Sequence, residues 1–129
     1  MSDEVKSSYE RGSYRKGIKR SQNKSLKVTF PDGTVIQEDT IRITYVKTIE
    51  KIGPAKAAEY FGTINRYYGP LMSQNPADYE KCTKQREICE LSDGWKLLTV
   101  GGAECIADYL NEASEKLHLG IKAEVILPE

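Results

Sequence analysis

Leu26-Lys27-Val28-Thr29-Phe30 runs directly into Pro31-Asp32-Gly33-Thr34, and Val35-Ile36 follows. Apolar residues alternate with Lys27 and Thr29, the period of a half-buried strand. Proline presets the backbone for a turn, and Asp-Gly accepts the positive φ that a tight turn needs. The stretch therefore predicts a β-hairpin, with a second strand over Thr34 to Gln37. A folded domain begins here and extends over residues 25–129.

Upstream, the composition changes. Residues 1–27 hold eight basic groups against three acids, a net of +5, while residues 28–129 hold 11 against 16, a net of −5. The two halves cancel to a formal charge of zero over 129 residues. Large aliphatic residues are sparse before Leu26, so residues 1–24 cannot bury enough surface to offset their ordering entropy. They read as a flexible basic arm. Arg11, Arg15, Lys16, Lys19 and Arg20 are placed to neutralise phosphates, with Tyr14 free to stack on a base. The plainer alternative is a solubilising terminus, or one that folds back onto the acidic body.

Downstream of the hairpin, Ile41, Tyr45, Ile49 and Ile52 fall at helical spacing. Asp39 or Thr40 would cap the helix. Ile41, Ile43 and Tyr45 also alternate as a strand would, but the length of the run and the stop at Gly53-Pro54 favour a helix. Pro54 opens a second helix to Phe61, closed by Gly62. Residues 63–86 carry weak signals: a short strand at Leu71-Met72, and either a short helix over Ala77 to Lys84 or a loop. Arg86 to Leu91 and Trp95 to Val100 flank Ser92-Asp93-Gly94 as a second hairpin. Ala103 to Leu119 is an amphipathic helix ended by Gly120, and Ile121 to Leu127 alternates as a last strand. The expected architecture is α+β. A small mixed or mainly antiparallel sheet of about five strands carries two to three helices on one face.

Chemical signals are few. Cys82, Cys89 and Cys105 are odd in number and lack a CxxC pair. They read as reduced thiols in a cytoplasmic protein, with Cys105 in the core. Their spacing with His118 does not match a zinc knuckle, so no metal is expected. His118, in the last turn of the long helix, would face exposed carbonyls rather than a nucleophile. Val100-Gly101-Gly102-Ala103 could cradle a phosphate on free amides, but without GxGxxG or Gly-Lys-Ser/Thr a tight turn into the helix explains it better. Glu90, Asp93 and Lys96 flank a turn and read as solvated rather than as a nuclease site. No cofactor is expected, no run approaches the roughly 18 apolar residues of a membrane span, and no leader points to secretion.

One string suggests a helix-turn-helix. Ala58, Gly62 and Tyr68 have the spacing of the small, turn and apolar positions, which would turn Asn65, Arg66 and Tyr67 toward a DNA groove. Gly69-Pro70 cuts the second helix short, so an ordinary helix packed through Ala57, Tyr60 and Phe61 is the simpler reading.

The strings Val28 to Ile36, Ile49-Glu50-Lys51-Ile52-Gly53, Asp93-Gly94-Trp95, Leu119-Gly120-Ile121-Lys122 and Glu124-Val125-Ile126 together resemble a small module of bacterial proteins, often encoded beside nuclease-like or mobile-element genes. The resemblance covers residues 26–127. It implies a bacterial or phage origin and a nucleic-acid setting, and it carries no activity and no catalytic residue. The resulting expectation is a non-enzymatic cytoplasmic binding module. Its arm would contact DNA or RNA, and its body a protein partner or a second copy. The alternative is a pure interaction or assembly domain, using an exposed edge such as the last strand.

Overall fold

The computed structural model describes residues 24–66 and 69–127. Arg11, Tyr14, Arg15, Lys16, Lys19 and Arg20 of the arm lie outside the described residues, as does Tyr67.

The first hairpin forms as its sequence dictates. Strands β1 (Ser25–Thr29) and β2 (Val35–Ile36) pair antiparallel, with Val28 opposite Ile36. Gly33 takes φ +92°, and its N–H donates to the Phe30 carbonyl at 3.0 Å. Asp32 accepts the Thr34 N–H at 2.8 Å and faces Lys51 Nζ at 3.2 Å. The bond from Thr34, then the lysine, hold the Asp32 carboxyl down from 3.8 to about 2.

Helix α1 (Ile41–Ile52) is capped by Thr40, whose hydroxyl accepts the Ile43 N–H at 3.1 Å. Thr44, Tyr45, Thr48 and Ile49 are buried, and Ile43 is 43% exposed. That pattern belongs to a helix and rules out the competing alternation. Gly53, at φ +100°, turns the chain into α2 (Pro54–Phe61). Helix α3 (Ala103–Leu117) packs beside α2 through the Phe61 and Tyr109 rings, 6.4 Å apart, and the Tyr60 hydroxyl donates to Glu112. Leu26 and Val28 from β1 join Tyr45, Ile49, Phe61, Ile106 and Leu110 in one hydrophobic cluster.

The class is α+β with antiparallel pairing, but among the described residues the strands divide into three small sheets instead of one of about five. The first has the order β2-β1-β8, where β8 is Lys122–Ile126. The second is a two-stranded ribbon, β3 (Asn65–Arg66) with β4 (Gly69–Pro70). The third has the order β5-β7-β6, from Met72–Ser73, Lys96–Leu98 and Ile88–Glu90. Its β6–β7 pair is the expected second hairpin, turned by Asp93 at φ 60° and Gly94 at φ 77°.

One open choice is decided and one local expectation is corrected. The stretch after Asn75 is a 3-10 turn, Pro76–Tyr79, and does not continue as a helix to Lys84. Gln85 Nε2 donates to the carbonyls of Tyr79 and Cys82, each at 2.9 Å, replacing the ladder a helix would have used. The residue that ends α3 is His118, in the left-handed conformation at φ 57°, and Gly120 makes a second bend two residues on. The helix stops early because Leu119 N–H bonds to the Ser114 carbonyl and Ile121 N–H to the Ser114 hydroxyl, at 2.9 and 2.7 Å. Gly120 also sits against Pro31, whose ring would lie 3.3 Å from an added Cβ.

Strand β8 is a sheet edge, yet much of it is occupied. Asn111 on α3 donates to the Ala123 carbonyl at 2.9 Å and accepts the Ala123 N–H at 2.8 Å. A side-chain amide thus takes the place of a neighbouring strand. By alternation Val125 is the next residue whose backbone groups face away from β1, so the free edge is much shorter than the strand. Asn111→Ala is expected to cost about 1–3 kcal/mol in urea denaturation and to speed amide exchange at Ala123; an unchanged midpoint would refute this role.

The depressed Asp32 carboxyl makes a second prediction. Its ionised form favours the folded state, so that contribution is present above its ordinary value of 3.8 and is lost as pH falls toward about 2. Asp32→Asn should flatten the fall of melting temperature across this interval. Identical acid profiles for the two proteins would contradict it.

Candidate nucleic-acid interface

Gly62 ends α2, and Leu71 N–H closes back on the Ile64 carbonyl at 2.9 Å. The intervening chain is the β3–β4 ribbon, so Asn65 and Arg66 stand on a strand and not on a recognition helix. Gly69 accounts for this. It takes φ +132°, and a Cβ there would lie 2.9 Å from the Asp78 carbonyl oxygen. Helix cannot pass through that position.

Both residues are exposed, but they do not share a groove. Successive strand residues point to opposite faces. Asn65 lines a cleft of about 640 Å³ with Met72, Asn75, Asp78 and Trp95. Arg66 lines a separate cleft of about 340 Å³ with Lys84, Glu87, Thr99, Val100 and Gly101.

Arg66 is held by α3. Its Nη1 donates to the Tyr109 hydroxyl and to Cys105 Sγ, the latter at 3.6 Å, and the guanidinium lies 5.9 Å from the Tyr109 ring centroid. These acceptors, Cys105 first, raise the guanidinium's pKa above its ordinary value. Burial, then its bond with Cys105, raises that of the Tyr109 hydroxyl. Cys105 is therefore half-buried and bonded to an arginine, where a core position was expected. Behind this cluster stands Tyr45. Its hydroxyl is buried without a hydrogen-bond partner among the described residues, and burial raises its pKa strongly.

The Gly101-Gly102 pair forms the expected turn, with Gly101 at φ +110° and Gly102 as the N-cap of α3. The turn also places Gly101 in the Arg66 cleft. Lys84 and Thr99 were not singled out by sequence reasoning. The double glycine marked the place, but nothing local indicates that residues 66, 84 and 99 meet there.

The other candidates stay apart. Lys96 Nζ approaches Glu90 at 3.4 Å, and the Glu90 side chain is 80% exposed. Cys89 Sγ accepts from Arg42 Nε at 3.1 Å, and Arg42 also reaches the Arg86 carbonyl. His118 is exposed. Among the described residues no three His, Cys, Asp or Glu side chains are grouped to hold a metal, and no helix is long and apolar enough to cross a membrane. No protein-family model, curated protein or solved structure matches the chain.

The unpartnered hydroxyl carries a prediction. Tyr45→Phe removes a buried polar group that makes no bond, so stability in urea should be unchanged or higher by up to about 1 kcal/mol. A loss above that size would show that the hydroxyl is bonded in solution.

Proposed function

We propose that this chain is a non-enzymatic binding module of bacterial or phage type. Its basic arm and its Arg66 surface contact nucleic acid, and its folded body meets a protein partner. The observation that carries this reading is the pairing of an exposed, α3-anchored Arg66 with Lys84 in one cleft. An arginine held in place by its own fold loses little freedom on meeting a phosphate, and its planar fork suits phosphate oxygens. Arg11, Arg15, Lys16, Lys19 and Arg20 supply the longer-range attraction, and Tyr14 the stacking. The acids near Lys96 do not converge on a reacting position, which favours binding over catalysis.

The alternative, a pure protein-interaction domain, draws on α3. Glu104, Asp108, Glu112 and Glu115 lie exposed along it and would suit a basic protein surface. It no longer draws on pairing along the whole of β8, because Asn111 occupies that edge at Ala123.

The two readings separate in a salt series. Anisotropy of a labelled oligonucleotide is measured with the intact chain and with a variant carrying Gln at the five basic arm positions. Affinity of the intact chain should fall steeply with salt. The variant's slope should be shallower by up to about 3.5 for single strands and 4.5 for duplex, since each phosphate contact contributes about 0.7 or 0.9. No binding by either protein would leave the interaction-domain reading.

A further inference from the structure

We propose that the cleft between the end of α2 and strand β5 docks an arginine side chain carried on a basic segment of a partner protein. The proposal deepens the partner half of the reading above and rests on it. Pro70, Met72 and Trp95 supply apolar lining, and Glu59, Asn65 and Asp78 supply polar groups. These groups come from separated parts of the chain. Glu59 stands on α2, Asn65 on the β3–β4 ribbon, Asp78 in the 3-10 turn and Trp95 just before β7.

Charge selects the ligand. Glu59 and Asp78 line the cleft, and among the described residues no lysine or arginine lines it with them. Lys56 lies 3.5 Å from Glu59 Oε1, which leaves Oε2 to a ligand. Asp78 takes the Ser73 hydroxyl on Oδ2, which leaves Oδ1. On the other side of the ribbon Arg66 and Lys84 stand against Glu87, so the two clefts favour ligands of opposite sign. A guanidinium donates in a planar fork to carboxylates and is attracted to the face of an indole. An ammonium group lacks that fork, which makes arginine the better fit than lysine. A neutral sugar could use Trp95 and Asn65 but gains nothing from the two charges, and an anion is repelled by them.

The rim is fixed by its own hydrogen bonds. Ser73 Oγ donates to Asp78 and accepts the Asn75 N–H at 3.0 Å. Asn75 Oδ1 accepts the Ala77 N–H at 3.1 Å, and Gln74 Nε2 donates to the Asp93 carbonyl at 2.9 Å, close to Trp95 in the chain. Groups held in this way lose little freedom when a ligand arrives. The Trp95 indole N–H and the Asn65 amide, by contrast, make no hydrogen bond among the described residues. They are donors left for the backbone carbonyls beside a docked arginine, which favours a peptide segment over a small free cation. At about 640 Å³ the cleft lies in the range of ligand sites and has room for the side chain and its neighbours.

Trp95 is the only tryptophan of the chain, so its fluorescence reads this cleft directly. The full chain is titrated with acetyl-glycyl-arginyl-glycine amide at constant ionic strength. The matching lysyl and glutamyl peptides and maltose are titrated separately. Anisotropy of a fluorescein-labelled arginyl peptide reports binding anywhere on the chain.

The arginyl peptide is expected to change Trp95 emission saturably, the lysyl peptide more weakly, and the glutamyl peptide and maltose not at all. Glu59→Gln and Asp78→Asn should each weaken the arginyl peptide about two- to fivefold, the size of one exposed ion pair. Both residues are exposed, so the variants should fold. Asp108→Asn with Glu115→Gln, on exposed α3 positions, should bind as the parent does. The proposal is overturned if both cleft variants respond like the parent, or if maltose moves Trp95 and the arginyl peptide does not. It is overturned in favour of the chain's own arm if Gln at the five basic arm positions shifts the emission and no peptide does. It is overturned, too, if nothing moves Trp95. A labelled peptide that then still binds leaves the partner reading standing with another surface, and one that binds nowhere removes that reading for basic partners.

Discussion

The body depends on β1. This five-residue strand pairs with β8 along its whole length, Ser25 opposite Ile126 through to Thr29 opposite Lys122. Its other edge pairs with β2. Leu26 and Val28 are fully buried beneath the helices. The pairing joins two segments almost a hundred residues apart and closes the chain around α1, α2 and α3. A one-residue slip would turn Leu26 and Val28 to solvent, so the register is strongly specified. Asn111 then fixes β8 from the helix side, binding the N–H and the carbonyl of a single residue, Ala123.

What was legible in the sequence was what local chemistry decides. Pro31-Asp32-Gly33 defines a turn within five residues, and the turn sets the hairpin. The stripe of α1 continues through Thr44 and Thr48, which are buried because their hydroxyls are satisfied. Thr48 donates to the Thr44 carbonyl at 2.7 Å, and the Thr44 hydroxyl accepts the Glu38 N–H at 2.8 Å. The region from residue 63 to 86 was illegible for the converse reason. It is held by contacts that no window contains: Leu98 N–H to the Leu71 carbonyl at 2.8 Å, and the Tyr79 hydroxyl to the Pro70 carbonyl at 2.9 Å. Such bonds stabilise a short strand or a 3-10 turn whose own propensity would not.

The candidate site divides along the same line. Arg66 stood out in the sequence for a helical reason that does not apply, and the structure gives it a different setting. Tyr109 and Cys105, 43 and 39 residues away, hold its guanidinium from α3. Asn65, its neighbour in sequence, faces another cleft because the chain is extended there. The spacing that suggested a recognition helix could not separate these two residues. One φ of +132° at Gly69 could.

An acidic body is at first sight a poor partner for a polyanion, and the argument turns on range. Exposed charges act over about 8 Å at physiological ionic strength, so a net charge summed over the body says little about one cleft. The acids of α3 run from Glu104 toward the far end of the helix, and Glu104 is already paired with Lys24. Near the start of the helix, Arg66 and Lys84 line one cleft with Glu87, while Gly102, Ala103 and Glu104 of the first turn line another with Lys24. The same acids repel a polyanion from the rest of α3. Under the proposed nucleic-acid reading, that repulsion would keep a polyanion off this face of α3 and leave the approach to surfaces with fewer acids.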